Sequence, residues 1–267
     1  MSTRLHQILT NKKQQKEKCL SIFLTAGFPE KNDTTDLILV LADAGVDFIE
    51  LGIPFSDPIA DGPVIQKASD IALSNGMNLK QVLNIVAEVR KSSRIPIILM
   101  GYLNPIYQLG LPRLIDEAGS VGVDGLILPD WPLEESQHYR GELEKAELDL
   151  IHLVAPNTPI ERIRQIDELS SAFIYCVAYT GVTGQDNRPT PATIAFFEEM
   201  NRTLRHPWLI GFGVKNHQDF QTYTQFADGV IIGSAFLQLL ENTPAVKRIA
   251  ACRPFIHEII NPATDGA

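Results

Sequence analysis

Eight short apolar runs recur along the whole chain, and most are continuous rather than alternating with polar residues. They are CLSIFLTA (19–26), DFIELG (47–52), IPIILMG (95–101), DGLILP (124–129), LDLIHLVA (148–155), SAFIYCVAY (171–179), PWLIGFG (207–213) and DGVIIGS (228–234). Unbroken apolar runs of this length suit parallel strands covered on both faces. Helix-period stretches separate them, among them TTDLILVLADAG (34–45), LKQVLNIVAEVRKSS (79–93), LPRLIDEAGSVG (111–122), PIERIRQIDELS (159–170) and TPATIAFFEEMNRTL (190–204). Strands joined by helical connections predict a closed (β/α)8 barrel, and 267 residues is an ordinary length for one. A doubly wound open sheet is the alternative. It would bring edge strands or a break in composition, and no clean GxGxxG follows the first strand. The expectation is a single α/β TIM-barrel domain over 1–267. RLHQIL (4–9) opens an extra N-terminal helix, and AVKRIAACRPFIHEII (245–260) closes the chain.

Charge narrows the partners. Thirty-two Asp and Glu against 23 Lys and Arg leave a net charge of -9, which disfavours nonspecific nucleic-acid binding. The one cationic run, NKKQQKEK (11–18), reads as a solvated helix face. Cys19, Cys176 and Cys252 show no metal-ligand spacing and read as buried thiols. No early apolar run resembles a leader, and none is long enough to span a bilayer. A cytoplasmic protein with no membrane partner is expected.

Barrel chemistry gathers where strands run out into their following loops. Glu50, Asp61, Tyr102, Asp130, Asn157, Tyr175, Thr183, Gly213, Gly233 and Ser234 all lie at or beyond such ends. Glu50 ends an apolar strand at the mouth of the core, where desolvation raises a carboxylate's pKa and suits it to general acid–base work. Asp57 and Asp61 share the next loop, IPFSDPIADGP (53–63), which three prolines stiffen. Asp61 can orient a substrate N–H or hydroxyl, or cap the following helix. A divalent metal on Glu50, Asp57 and Asp61 is the weaker reading, because the spacing matches no metal motif. YTGVTG (179–184), GFG (211–213) and GS (233–234) sit where late barrel loops cradle phosphate through backbone amides.

Other residue types exclude chemistry by their positions. No lysine falls at a strand end inside the barrel, which disfavours a Schiff-base mechanism; Lys215 reads as the start of a helix. The six histidines show neither HxH nor HExxH spacing, and His152 reads as a satisfied core residue. Phe23, Met100, Ile127, Pro129, Leu153, Tyr175 and Phe212 can line a flat apolar pocket. With carboxylates on one side and a phosphate cradle on the other, they suggest an aromatic substrate with a phosphorylated tail.

ELGIPFSDPIADGPVIQ (50–66), GVDGLILPDWPLEES (122–136), TGVTG (180–184), GFGV (211–214) and GSAF (233–236) together resemble the tryptophan synthase alpha chain family. The resemblance runs over nearly the whole chain. It implies cleavage of indole-3-glycerol phosphate to indole and glyceraldehyde 3-phosphate. It also implies an alpha2-beta2 assembly with a beta chain that carries pyridoxal phosphate, no cofactor or metal being expected in this chain. Matched by motif, Glu50 and Asp61 are the catalytic pair, and Thr183 belongs to the loop that closes over substrate. Gly184, Gly213, Gly233 and Ser234 fall on the phosphate positions, and Asp57 and Pro58 on the partner-facing loop. The seven apolar residues named above match the indole pocket. Tyr179 and Thr180 stand where some members carry arginine and alanine, and Pro129 where alanine occurs. A free-standing lyase and a non-catalytic regulatory barrel are the other readings of the same pattern.

Overall fold

The computed structural model describes residues 3–177, 189–211 and 213–261. Its strands are β1 (Cys19–Thr25), β2 (Phe48–Gly52), β3 (Ile97–Met100), β4 (Gly125–Ile127), β5 (Asp149–Ile151), β6 (Leu153–Val154), β7 (Ile174–Val177), β8 (Trp208–Gly211) and β9 (Gly229–Ile232). Every strand pair is parallel. The order across the sheet is β5-β4-β3-β2-β1-β9-β8-β7-β6. Its two ends, β5 and β6, are separated in the chain by His152 alone, so the backbone itself closes the ring. These strands are the predicted eight with the fifth broken at one residue. The fold is a (β/α)8 barrel with an added N-terminal helix.

The break at His152 is local. Its carbonyl still accepts from Tyr175 N at 3.0 Å, so the ladder to β7 continues across it. The imidazole is buried, and Nε2 has no hydrogen-bond partner among the described residues. It is a core residue, as its place in the strand predicts, but not a satisfied one. Burial pushes its pKa down to about 4, so the ring is neutral.

Both faces of the sheet are covered, which is why the strand sequences carry no alternation. All seven residues of β1 and all five of β2 are buried. Helices supply the outer cover through one apolar stripe each. In Leu79–Val89, Asn78 caps the first turn through Gln81 N, and Val82, Leu83, Val86 and Val89 face inward. In Leu111–Val121 the buried stripe is Leu111, Leu114, Ile115 and Ala118, and Gly122 ends the helix at φ 85°.

The first helix, Arg4–Gln15, lies across the N-terminal end of the barrel. Thr3 caps it by accepting from His6 N, and Leu5 and Leu9 are its buried residues. Arg4 Nε donates to Asp124 Oδ1 at 2.7 Å, and Thr3 Oγ1 to Asp149 Oδ2 at 2.8 Å. Those carboxylates stand at the starts of β4 and β5. The extra helix therefore seals the bottom and leaves the C-terminal rim as the open end.

Candidate active site

Glu50 lies in β2 beside Phe23 of β1, the two being register partners. It is fully buried, and neither carboxylate oxygen has a hydrogen-bond partner among the described residues. Desolvation alone raises its pKa to about 8. A neutral carboxyl group at pH 7 is a proton donor held in an apolar wall. Tyr175 of β7 completes this floor: its pKa is pushed well up by burial first, then by the charges of Glu50 and Asp61. Room for these rings comes from glycine. A Cβ on Gly211 would lie 2.0 Å from the Tyr175 hydroxyl oxygen, and one on Gly52 would lie 2.7 Å from Phe23 Cζ.

Asp61 approaches from the loop after β2. Its Oδ1 is buried without a hydrogen-bond partner. Burial raises its pKa to about 6, opposed by a hydrogen bond from Tyr102. It does not cap the next helix. Gly62 is the N-cap of Pro63–Ser74 and Pro63 the first helical residue, so the carboxylate is left pointing inward. Tyr102, on the rim after β3, holds this loop. Its hydroxyl accepts from Ala60 N at 3.1 Å, and its ring lies 5.4 Å from that of Phe55. Asp130 fixes the neighbouring turn by accepting from Leu103 N through both oxygens, at 3.1 and 3.0 Å.

One cavity joins Asp61 and the Phe23–Tyr175 floor to the late-strand loops, with Glu50 buried next to Phe23 and not itself part of the cavity wall. Phe23, Asp61, Met100, Tyr175, Gly213, Gly233 and Ser234 all line it. Ser234 begins the helix Ser234–Asn242 and Gly233 is its N-cap, with no side chain capping the first turn. Those amides point positive charge at the cavity. Gly213 takes φ 86°, a conformation that favours glycine. Lys215 also lines the cavity, ahead of the helix His217–Thr224 whose N-cap is Asn216. Sequence reading placed it at a helix start and missed it. Tyr102 was located on the rim but given no role.

Ile127 and Leu153 sit at the same level of the wall, paired with Met100 and Tyr175. Pro129 is half-buried just past β4. Thr183, Gly184 and Phe212 fall outside the described residues, as do Tyr179 and Thr180. Asp57 is exposed and accepts from Ser56 Oγ, whereas Pro58 turns inward and is buried. Among the described residues, no three His, Cys, Asp or Glu side chains gather closely enough to hold a metal ion. None of the described helices is long and apolar enough to cross a membrane.

Beside the rim, the loop Ile53–Ser56 and the segment Asn104–Leu109 flank an open groove of about 560 Å³. Tyr107, in the second segment, and Ile59, three residues past the first, are exposed apolar residues, 58% and 85% accessible.

Comparison with known proteins gives a consistent result. The model of the family "Tryptophan synthase alpha chain" matches residues 9–257. The tryptophan synthase alpha chain of Flavobacterium psychrophilum is 41% identical, over 94% of this chain and 98% of its own. The crystal structure of tryptophan synthase subunit alpha from Legionella pneumophila superposes with a TM-score of 0.89 at 34% identity, covering 97% of both chains. A chain from a Pyrococcus furiosus structure concerned with mutual activation of the tryptophan synthase a2b2 complex superposes with a TM-score of 0.84. It is 35% identical over 90% of this chain and 97% of its own.

Proposed function

This chain belongs to the tryptophan synthase alpha chain family, and on that premise we propose that it cleaves indole-3-glycerol phosphate to indole and glyceraldehyde 3-phosphate. The observation that carries the reading is the pairing of a buried carboxyl near pKa 8 at Glu50, in register with Phe23, with a carboxylate near pKa 6 at Asp61, Phe23 and Asp61 both lining one cavity. Groups pushed apart in this way divide acid and base roles at neutral pH.

The chemistry follows from the bond to be broken. Indole C3 leaves only after it accepts a proton, which makes the ring an iminium-like cation. Glu50, protonated at neutral pH, donates to C3. Asp61, ionised, accepts the ring N–H and stabilises the growing positive charge. As the C3–C3′ bond opens, its electrons return to the ring and the C3′ hydroxyl becomes the aldehyde. The hydroxyl proton goes to Glu50, restoring its starting state. One proton is given and one regained, so the reaction balances. Gly213, Gly233 and Ser234, with Gly184, hold the phosphate through amides, and Lys215 adds a positive charge at the cavity mouth. Phe23, Met100, Ile127, Pro129, Leu153, Tyr175 and Phe212 enclose the ring. Thr183 closes the site over Asp61.

A pyridoxal-phosphate-dependent beta chain that receives indole in an alpha2-beta2 assembly is the proposed partner. The exposed Ile59 and Tyr107 beside an open groove support that face, with Asp57 at its edge. The test is direct detection of indole from indole-3-glycerol phosphate, alone and with a saturating beta chain. Indole release that rises with the partner supports the reading. Release at full rate without it favours a free-standing lyase, and no release in either case overturns catalysis.

A further inference from the structure

Two backbone N–H groups tie the loop that carries Asp61 to the end of β3 and its rim. Ile53 N donates to Met100 O at 2.7 Å where the loop leaves β2, and Ala60 N donates to the Tyr102 hydroxyl at 3.1 Å just before the carboxylate. Between them Asp61 N closes a turn on Pro58 O at 3.0 Å. Tyr102 itself is pinned. It is 4% exposed, and its neighbours are fixed on either side, Gly101 N donating to Ile127 O at 3.1 Å and Leu103 N to Asp130. Its ring packs against that of Phe55. A rigid strand end therefore reaches across to the loop that holds the reactive carboxylate.

A phenol has one proton to give and an oxygen that accepts. The Ala60 amide donates to that oxygen, so the phenolic proton is left for the Asp61 carboxylate, to which Tyr102 is hydrogen-bonded. Accepting from an amide polarises the O–H and strengthens it as a donor. Asp61 Oδ1 has no partner among the described residues, so the carboxylate keeps capacity for a substrate N–H while Tyr102 holds it. The bond favours the ionised form and opposes burial, which raises the Asp61 pKa to about 6. Other titratable groups stand around the pair. The charges of Glu50 and Asp61 act on Tyr175 of β7, that of Asp130 acts on Tyr102, and Lys215 lines the same cavity. Of these groups, Tyr102 bonds both the backbone of the loop and the carboxylate it carries.

We propose that Tyr102 is a positioning residue for the cleavage: its hydroxyl, accepting from Ala60 N and donating to Asp61, holds that carboxylate in the orientation in which it accepts the indole N–H. This role deepens the proposed reaction and rests on it for what Asp61 does. Packing against Phe55 needs only the ring, which phenylalanine supplies as well. The hydroxyl is what the two bonds require.

Tyr102→Phe removes the hydroxyl and keeps the ring. Aspartate carboxyl carbons labelled with carbon-13 are followed by NMR as pH changes, the Asp61 signal being the one lost in Asp61→Asn. The native midpoint is expected near 6, and Tyr102→Phe should raise it by at least about one unit, since a hydrogen bond to a charged group is worth about 1.5–3 kcal/mol. Replacing Tyr102 by 3-fluorotyrosine, a stronger donor of nearly the same size, should lower it. The acid limb of kcat/KM for indole release should follow the midpoint, so that Tyr102→Phe costs at least about fivefold at pH 6 and less at pH 7.5. Affinity for glycerol phosphate should stay within about twofold, because the cradle is untouched. A midpoint that moves in neither variant, with thermal unfolding showing both folded, overturns the proposal. So does an acid limb that stays in place while the midpoint moves. No indole from the native chain would overturn the reaction, whereas the titration, needing no substrate, tests the bond by itself.

Discussion

Glu50 concentrates the electrostatics of the site in one side chain. Between its ordinary 4.5 and its folded value of about 8, the native state holds a proton that the unfolded chain has released. Stability therefore falls as pH rises through that window, the opposite of a salt-bridged carboxylate. A shift of this size costs on the order of 5 kcal/mol once the group is ionised. Glu50→Gln should lower turnover at least about 100-fold, the usual scale of general acid–base catalysis. It should also raise stability relative to the native chain more at pH 8 than at pH 5, which urea unfolding at the two pH values checks. A second outcome concerns rate. Asp61 must be ionised, so kcat/KM rises through about pH 6, and Glu50 must hold its proton, so it falls through about pH 8. Asp61→Asn should remove the acid limb along with most of the activity; a residual profile that keeps a limb near 6 assigns it to another group. Glu50 was legible because a carboxylate inside an apolar strand has few bland explanations. Tyr102 was not, since its role arises only when the loop folds back and presents Ala60 N to it.

Elements at the two ends of the barrel work in opposite ways, and each can be tested. At the bottom, Asp124 is 2% exposed and accepts from Arg4 Nε, Arg90 Nη2 and Ile97 N, joining the first helix to β3 and β4. Asp124→Ala would leave the Arg90 guanidinium without its carboxylate, with only backbone carbonyls to accept from it, and is expected to destabilise by about 3 kcal/mol, measured by urea unfolding. His6, in the same helix, has its pKa raised above 6.5, chiefly by its hydrogen bond to Asp149. That contribution is complete below pH 6.5 and is lost as pH rises through the folded value; His6→Gln should flatten this part of the stability profile. At the top, the N-terminus of Ser234–Asn242 is left uncapped. Gly233 has φ -115°, and an added Cβ there meets nothing closer than 3.4 Å, so Gly233→Asp should fold. Its carboxylate should weaken a phosphate-bearing substrate analogue at least about tenfold by titration. Gly213, at φ 86°, offers no such clean test, because any side chain there strains the backbone. The helix periods and the strand count could be read in advance. The break at His152 could not, because a strand interruption that preserves the backbone hydrogen bond leaves no mark in composition.

At the scale of the whole molecule, the sequence pattern carried the barrel and the rim, because closure puts every strand end on one face whatever the loops do. Surfaces were less legible. Asp57 and Pro58 are neighbours in sequence, yet the structure turns one outward and buries the other, a distinction set by how the loop packs rather than by residue type. Ile59 drew no attention in the sequence, being one apolar residue in an apolar-rich loop, and it is 85% exposed. An isoleucine so placed, with Tyr107 58% exposed on the adjoining segment and an open groove between the two loops, fits a face that another chain covers. If the proposed beta chain docks there, Ile59→Asp should reduce its affinity at least about tenfold, or about 1.4 kcal/mol, by placing an unpaired charge in the contact. Indole release by the isolated chain should stay near its native rate, because Ile59 does not line the catalytic cavity. Analytical ultracentrifugation with the beta chain, beside turnover alone and in complex, separates the two effects. Loss of solo turnover in this variant would make Ile59 part of the catalytic loop's own support. Unchanged affinity would move the docking face elsewhere on the barrel.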